Sequence, residues 1–138
     1  MRISITDAAS LLGTRTTLSS RAWTALYPEP ATSSADYVSH LLELGAVIVG
    51  KTKVSQLLAG GEWVDVPAPW NPRADQYQDP AGSSAGAGAA AAGYGWLEHS
   101  VGEDAIGGLL GPGAAEGVFA LRPTVREGLL DGVLGSSS

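Results

Sequence analysis

Runs of apolar residues separated by short polar or glycine-rich stretches predict an alternation of strands and helices along this chain. The segment RISIT over residues 2–6 alternates polar and apolar side chains, as a half-buried strand does. Residues 33–45 are the best helix candidate, because their apolar side chains fall on one face and Gly45 can end the helix. The continuous apolar runs AVIVG (46–50) and GVFAL (117–121) are typical of buried strands in parallel sheets.

The order of these elements predicts an α/β fold, in which helices flank a layer of mixed or parallel sheet. A short helix over 53–59 and an Ala/Gly-rich helix over 84–94 separate the last two predicted strands. We expect AVIVG and GVFAL to be neighbouring central strands, with a helix over 34–44 packed on one face of the sheet. Residues 60–80 contain four prolines and are predicted to form a long surface loop within a single domain over residues 1–138.

Composition, net charge and the lack of cysteine exclude several kinds of partner and site. Apolar residues make up 44% and charged residues 16%, which is enough apolar material for a folded core. The net charge is −6 and the basic residues do not cluster, so we expect no nucleic-acid partner. The chain contains no cysteine, which excludes disulfides and thiolate metal sites, and we expect neither a cofactor nor a metal. No apolar run reaches membrane-spanning length, so we expect a cytoplasmic protein without a membrane partner.

Two motifs match nucleotide-binding patterns without the structural context that these patterns need. GAVIVGKT (45–52) fits the phosphate-loop pattern, but a helix precedes its first glycine and strand-forming residues separate its glycines. GAGAAA (86–91) fits the dinucleotide fingerprint, but no buried strand precedes it. His40 and His99 have no obvious ligand partners, so we interpret both as structural or surface residues.

Three ordered blocks carry a family resemblance. These blocks are GAVIVGKTKVSQ, then NPRADQYQDPAGSSAGAGAAAA, then VGEDAIGGLLGPGAAEGVFALRPT. Together they resemble the amidase signature family, and most closely its fungal members, over about residues 2–134. The resemblance implies a partial amidase-signature-like α/β layer, since family members are several times longer and this chain corresponds to a truncated member.

The resemblance also implies a catalytic arrangement, a Ser–cis-Ser–Lys triad in which a neutral lysine is the base. The cis-serine falls on Ser84, with Ser83 as its neighbour. The nucleophile position then falls on Gly108, and the lysine position falls on Thr6. Lys51 belongs to a separate block and is not the missing base. One of the three triad residues is therefore present.

The resemblance further implies an oxyanion turn, whose backbone N–H groups stabilise negative charge on the reacting oxygen. We expect Ile106, which stands where the family has glycine, to disturb this turn. Glu103 or Asp104 is a candidate proton donor or acceptor, with Asp104 the weaker of the two because the family shares it. The turn positions are Ala105, Ile106, Gly107 and Gly108.

These observations predict an amidase-like protein that has lost amide hydrolysis. Such a pseudoenzyme would bind a small molecule or promote non-hydrolytic chemistry in a fungal biosynthetic pathway. Three alternatives stay open: a truncated relic without function, an oligomerising interaction module, and a residual amide C–N hydrolase. We expect a homo-oligomer, because a parallel sheet normally has both faces covered.

Overall fold

Three parallel strands and four helices make up the regular secondary structure of the residues that the structure, a computed structural model, describes. Those residues are 1–59, 63–73, 77–104, 106–124, 126, 128 and 130–134. In chain order the elements are β1 (Arg2–Thr6), α1 (Arg21–Leu26), α2 (Asp36–Glu43), β2 (Val47–Thr52), α3 (Ala85–Gly93), β3 (His99–Val101) and α4 (Leu110–Ala115). A short 3₁₀ helix over Gln56–Leu58 lies between β2 and α3.

The sheet has the order β2-β1-β3, and β1 pairs in parallel with both of its neighbours. In this register Ile3 lies opposite Ile48 and His99. Because all three strands run the same way, their carboxyl ends meet at one edge of the sheet, where the loops that carry function usually lie. The predicted α/β class is confirmed.

One face of the sheet packs against α2. Ile3 and Ile5 of β1 form a buried cluster with Val38 of α2 and with Ala35 and Ala46, the residues that flank this helix. The amphipathic pattern that predicted the helix therefore reflects a real buried face. Gly45 ends the segment with a backbone φ of +84°, which glycine adopts without steric cost.

The opposite face of the sheet packs against α3. Side chains alternate along β1, so Ser4 and Thr6 point away from α2, and both are buried. The hydroxyl of Ser4 lies 2.6 Å from that of Ser100 on β3. Helix α3 consists of Ala and Gly alone, and a Cβ on Gly86 would lie 2.5 Å from the backbone nitrogen of Lys53. The small side chains of α3 therefore allow its close approach to the backbone beyond β2.

The predicted strand arrangement is wrong in two respects. GVFAL (117–121) forms no strand, and the side chain of Phe119 is fully exposed. The second neighbour of β1 is instead β3, a three-residue strand that the apolar pattern does not indicate. AVIVG does contribute to a strand, but β2 lies at one side of the described sheet, and Val47 and Val49 are exposed.

No helix within the described ranges is long and apolar enough to span a membrane.

Candidate functional site

Ser83 and Ser84 lie immediately before α3, at the edge of the sheet where the strands end. The Ser84 hydroxyl donates to the carbonyl oxygen of Glu103 (2.9 Å) and accepts from the Glu103 N–H (2.8 Å). The Ser84 N–H donates to the carbonyl oxygen of Gly108 at 2.9 Å. Ser84 is almost completely buried and ties the start of α3 to the loop after β3.

Ser83, rather than Ser84, faces the nucleophile position. A Cβ on Gly108 would lie 2.7 Å from the Ser83 hydroxyl oxygen. The Ser83 carbonyl accepts from the N–H of Ser55 at 2.8 Å, and the peptide bond between Gly82 and Ser83 is cis. The hydroxyl that neighbours position 108 is therefore one residue earlier in the chain than the resemblance assigns it.

The turn before α4 has the geometry of a short loop with unbonded backbone donors. Among the described residues, no backbone acceptor is found for the N–H groups of Ile106, Gly107 and Gly108. The positive φ of this turn, +80°, falls on Gly107, and Ile106 has an ordinary backbone with a side chain that is 98% exposed. Ile106 therefore needs no left-handed backbone at this turn, and its effect on the turn stays a prediction. Ala105 lies outside the described residues.

The lysine position holds no cation. Thr6 is buried at the end of β1, and its hydroxyl oxygen accepts a long hydrogen bond of 3.4 Å from the N–H of Ala8. A threonine hydroxyl is too weak a base to take a proton from serine at neutral pH. Within the described part of the chain, Ser83 has neither a nucleophile nor a lysine base at the two positions that the resemblance assigns to them.

Lys51 lies opposite Ile5 in the sheet, next to the lysine position, but its ammonium is bound by groups that stabilise the fold. Its ammonium lies 3.0 Å from a carboxylate oxygen of Asp7 and donates to the Arg15 carbonyl (3.0 Å) and the Thr16 hydroxyl (2.9 Å). Burial lowers the pKa of Lys51, and the Asp7 carboxylate opposes that change. All three donors of the ammonium are engaged, so Lys51 holds the loop after β1 against β2.

Glu103 contacts the segment of Ser83 and Ser84 through its backbone, which bonds the Ser84 hydroxyl. Among the described residues, its carboxyl makes no hydrogen bond to either serine. Burial raises the pKa of the Glu103 carboxyl to about 7. Burial and the charge of Glu103 together raise the pKa of Tyr37 on α2. The Tyr37 hydroxyl and one Glu103 oxygen have no hydrogen-bond partner in the described structure. Both carboxylate oxygens of Asp104 are likewise buried without a partner there.

The remaining sequence candidates lie elsewhere. His40 is exposed on α2, with its imidazole 3.7 Å from the Glu43 carboxylate, and His99 is an exposed residue of β3. In the ranges that the structure describes, no group of His, Asp and Glu side chains has the arrangement of a metal site. Sequence reasoning missed Glu116, a completely buried acid after α4, although an acid within the small and apolar run PGAAEGVFAL was a visible signal.

Comparison with known proteins gives one family. A family model described as Amidase matches residues 1–137. One of the subunits of the glutamyl-tRNA(Gln) amidotransferase from Sulfolobus acidocaldarius is 37% identical over 127 residues, which is 88% of this chain and 25% of that protein. The translocon at the outer membrane of chloroplasts 64 of Pisum sativum is 34% identical over 126 residues, covering 90% of this chain and 21% of that protein.

A solved structure shares the fold. It is described as the inhibitor-bound form of a vestigial protein complex that reveals the evolutionary origins of an s-triazine catabolic enzyme. The match has a TM-score of 0.74 and 28% identity, and it covers 82% of this chain and 24% of that chain. The chain thus spans about a quarter of the length of the relatives that it matches.

Proposed function

Because this chain belongs to the amidase family, we propose that it is a member that binds a small carbonyl compound without hydrolysing it through a serine nucleophile. The observation that carries the proposal is the glycine at position 108. A side chain at this position would begin 2.7 Å from the Ser83 hydroxyl, and Gly108 supplies only a hydrogen atom there. The reaction of a serine nucleophile with an amide cannot start from this position.

The binding half of the site supports the rest of the proposal. The N–H groups of Ile106, Gly107 and Gly108 make no backbone hydrogen bond within the described structure, so they are available to a carbonyl or carboxylate oxygen. Ser83 adds a half-buried hydroxyl beside them. Such an arrangement polarises a carbonyl group, but it supplies neither an attacking atom nor a base at the positions of Gly108 and Thr6.

A ligand titration tests the binding claim. Benzamide and benzoate are added separately to the ¹⁵N-labelled 138-residue chain, and backbone amide shifts are followed by NMR. We expect shifts concentrated at Ile106, Gly107 and Gly108, without formation of benzoate from benzamide after prolonged incubation. Release of benzoate at a rate that depends on the protein concentration, and that Ser83→Ala removes, would establish a residual amide C–N hydrolase instead. Shifts spread over the whole surface would contradict a site at this turn.

The wider biological role is a prediction from the resemblance alone. A role in non-hydrolytic chemistry of a fungal biosynthetic pathway, with Glu103 or Asp104 as the proton donor or acceptor, stays a prediction. The raised pKa of Glu103 suits proton transfer near neutral pH. A chain without function is the simplest alternative, and specific amide shifts in the titration would contradict it.

Self-association is a second candidate property, favoured by exposed apolar side chains on β2 and in the segment that follows α4. Val47 and Val49 lie exposed on β2, and Phe119 and Leu121 lie exposed in the segment that follows α4. Exposed apolar surface of this kind often marks an interface. We propose that a second copy of the chain covers it.

A further inference from the structure

Glu116 is an acid whose side chain is enclosed by the protein. It is 0% exposed, and neither carboxyl oxygen has a hydrogen-bond partner among the residues that the structure describes. The residue caps the carboxyl end of α4, and its N–H donates to the carbonyl oxygen of Pro112 at 2.9 Å. An enclosed carboxylate with no cation or donor is strongly unfavourable, so this side chain requires a specific explanation.

The carboxyl occupies the space that a side chain on α3 would need. A Cβ on Gly88 would overlap Glu116 Oε2 and would lie 3.2 Å from the Pro112 carbonyl oxygen. No side chain other than the hydrogen of glycine fits at position 88 while Glu116 keeps this position. Gly88 and Glu116 therefore form a matched contact between α3 and α4.

Glu98 and His99, at the start of β3, line the same cavity as Gly88 and Gly113, but neither bonds the Glu116 carboxyl in the described structure. Helix α3 and helix α4 contain no titratable residue, and neither does the segment over residues 117–121. Asn71 donates to the Ala115 carbonyl and is neutral. The backbone of Lys53 lies against Gly86, but its ammonium donates to the Pro67 carbonyl. Burial alone raises the pKa of Glu116, to about 8. The acid is therefore protonated and neutral at pH values below that.

We propose that Glu116 is a proton-dependent latch that holds α3 against α4 and so positions Ser83 beside Gly108. Ser84 precedes α3 directly, and Gly108 lies two residues before α4. The packing of α3 against α4 therefore affects the distance between Ser83 and Gly108. In the neutral form the carboxyl fills the space beside Gly88 without placing a charge there. Loss of the proton leaves a charge between the helices, and the carboxylate reaches water only when α3 and α4 separate. The latch does not depend on the proposed ligand.

The direction of the pH effect follows from the two states of the acid. Glu116 ionises near pH 4.5 in the unfolded chain and near pH 8 in the folded chain. Between these values the folded state holds one proton more than the unfolded state, so the free energy of unfolding decreases as pH rises. The contribution of Glu116 is complete below about pH 4.5, is lost as pH rises to about 8, and changes no further above that.

Thermal unfolding of the full chain between about pH 5.5 and pH 8.5 tests the latch. We expect the wild-type midpoint to fall by about 5 °C or more over this range, and the midpoint of Glu116→Gln to fall by less than half as much. Glu43→Gln, at an exposed position, is the matched control and should follow the wild type. NMR signals of the Ser84 and Gly108 amides should show a step near pH 8 in the wild type that Glu116→Gln lacks, apart from the change near pH 7 that the Glu103 carboxyl gives in both proteins. Equal pH profiles for the wild type and Glu116→Gln would overturn the proposal.

A second pair of variants tests the contact independently of titration. Gly88→Ala should unfold at a much lower temperature than the wild type or fail to fold, because its Cβ overlaps the Glu116 carboxyl. The double variant Gly88→Ala with Glu116→Ala should recover most of this loss. Gly93→Ala is the control in the same helix, because its Cβ would have an ordinary contact of 3.6 Å with Pro72. The matched contact is contradicted if Gly88→Ala behaves like Gly93→Ala, or if the double variant shows no recovery.

Discussion

At the scale of single residues, the two adjacent serines have different tasks. The Ser84 hydroxyl both donates to and accepts from the backbone of Glu103, whereas the Ser83 hydroxyl faces Gly108. The sequence could locate the two serines, but it could not show which hydroxyl faces Gly108. The directions of two adjacent side chains depend on the backbone conformation, which the sequence does not reveal. This is why the resemblance put the cis-serine role on Ser84.

We predict that Ser84→Ala destabilises the protein and that Ser83→Ala does not. Loss of the Ser84 hydroxyl leaves the half-buried N–H and carbonyl of Glu103 without these partners, which costs about 1–3 kcal/mol. Urea unfolding of both variants measures the free energies of unfolding. A larger loss in Ser83→Ala than in Ser84→Ala would reverse the two assignments.

At the scale of secondary structure, long periodic segments were predictable and short or unpaired ones were not. The apolar face of α2 and the Ala/Gly run of α3 each mark a helix over two or more turns. β3 is three residues long and its sequence HSV carries no alternation, so its only signal is the partner strand β1. GVFAL has the composition of a strand, but strand formation also needs a neighbouring strand, and none of the described strands pairs with it.

The close packing of α3 predicts an asymmetry between its glycines. Gly86→Ala would place a Cβ 2.5 Å from the nitrogen and 2.6 Å from the oxygen of Lys53, and these backbone atoms cannot move aside as a flexible side chain can. Alanine favours the helix by about 1 kcal/mol over glycine, but forced overpacking costs about 1–3 kcal/mol. We therefore expect Gly86→Ala to lower the free energy of unfolding, and Gly93→Ala to leave it unchanged or raise it. Urea unfolding that ranks the two variants in the opposite order would show that α3 has room to move.

At the scale of the whole molecule, exposed apolar side chains predict association. Burial of such surface contributes about 25 cal/mol per Å², which is large compared with the stability of a small domain. We expect light scattering to show a dimer or larger species whose fraction rises with protein concentration, and Phe119→Ser to reduce it. Leu26→Ser, at an exposed position on α1 away from the sheet, is the control and should not change it. A monomer at millimolar concentration would contradict self-association.

The family and the α/β class were predictable because ordered sequence blocks and apolar periodicity extend over the whole chain. The enclosed acid at Glu116 was not, because its burial depends on Gly88, which lies far earlier in the chain and carries no side chain to suggest a contact. The family resemblance predicted that Gly108 and Thr6 occupy the positions of the nucleophile and the base. The structure shows in addition that Gly108 lies directly against Ser83.

Labelling by a fluorophosphonate, followed by intact-mass measurement, shows whether any serine of this chain is activated for attack. The reagent reacts with activated serines, and an isolated serine hydroxyl is a weak nucleophile. We predict no mass increase for the wild type, because groups of a triad act as a unit and two of the three are absent. We also predict none for Thr6→Lys with Gly108→Ser, because a Cβ at position 108 would lie 2.7 Å from the Ser83 hydroxyl and 3.1 Å from the Glu103 carbonyl oxygen. Stoichiometric labelling of the wild type, mapped to Ser83, Ser84 or any other serine, would contradict the account and identify the chain as an active serine enzyme.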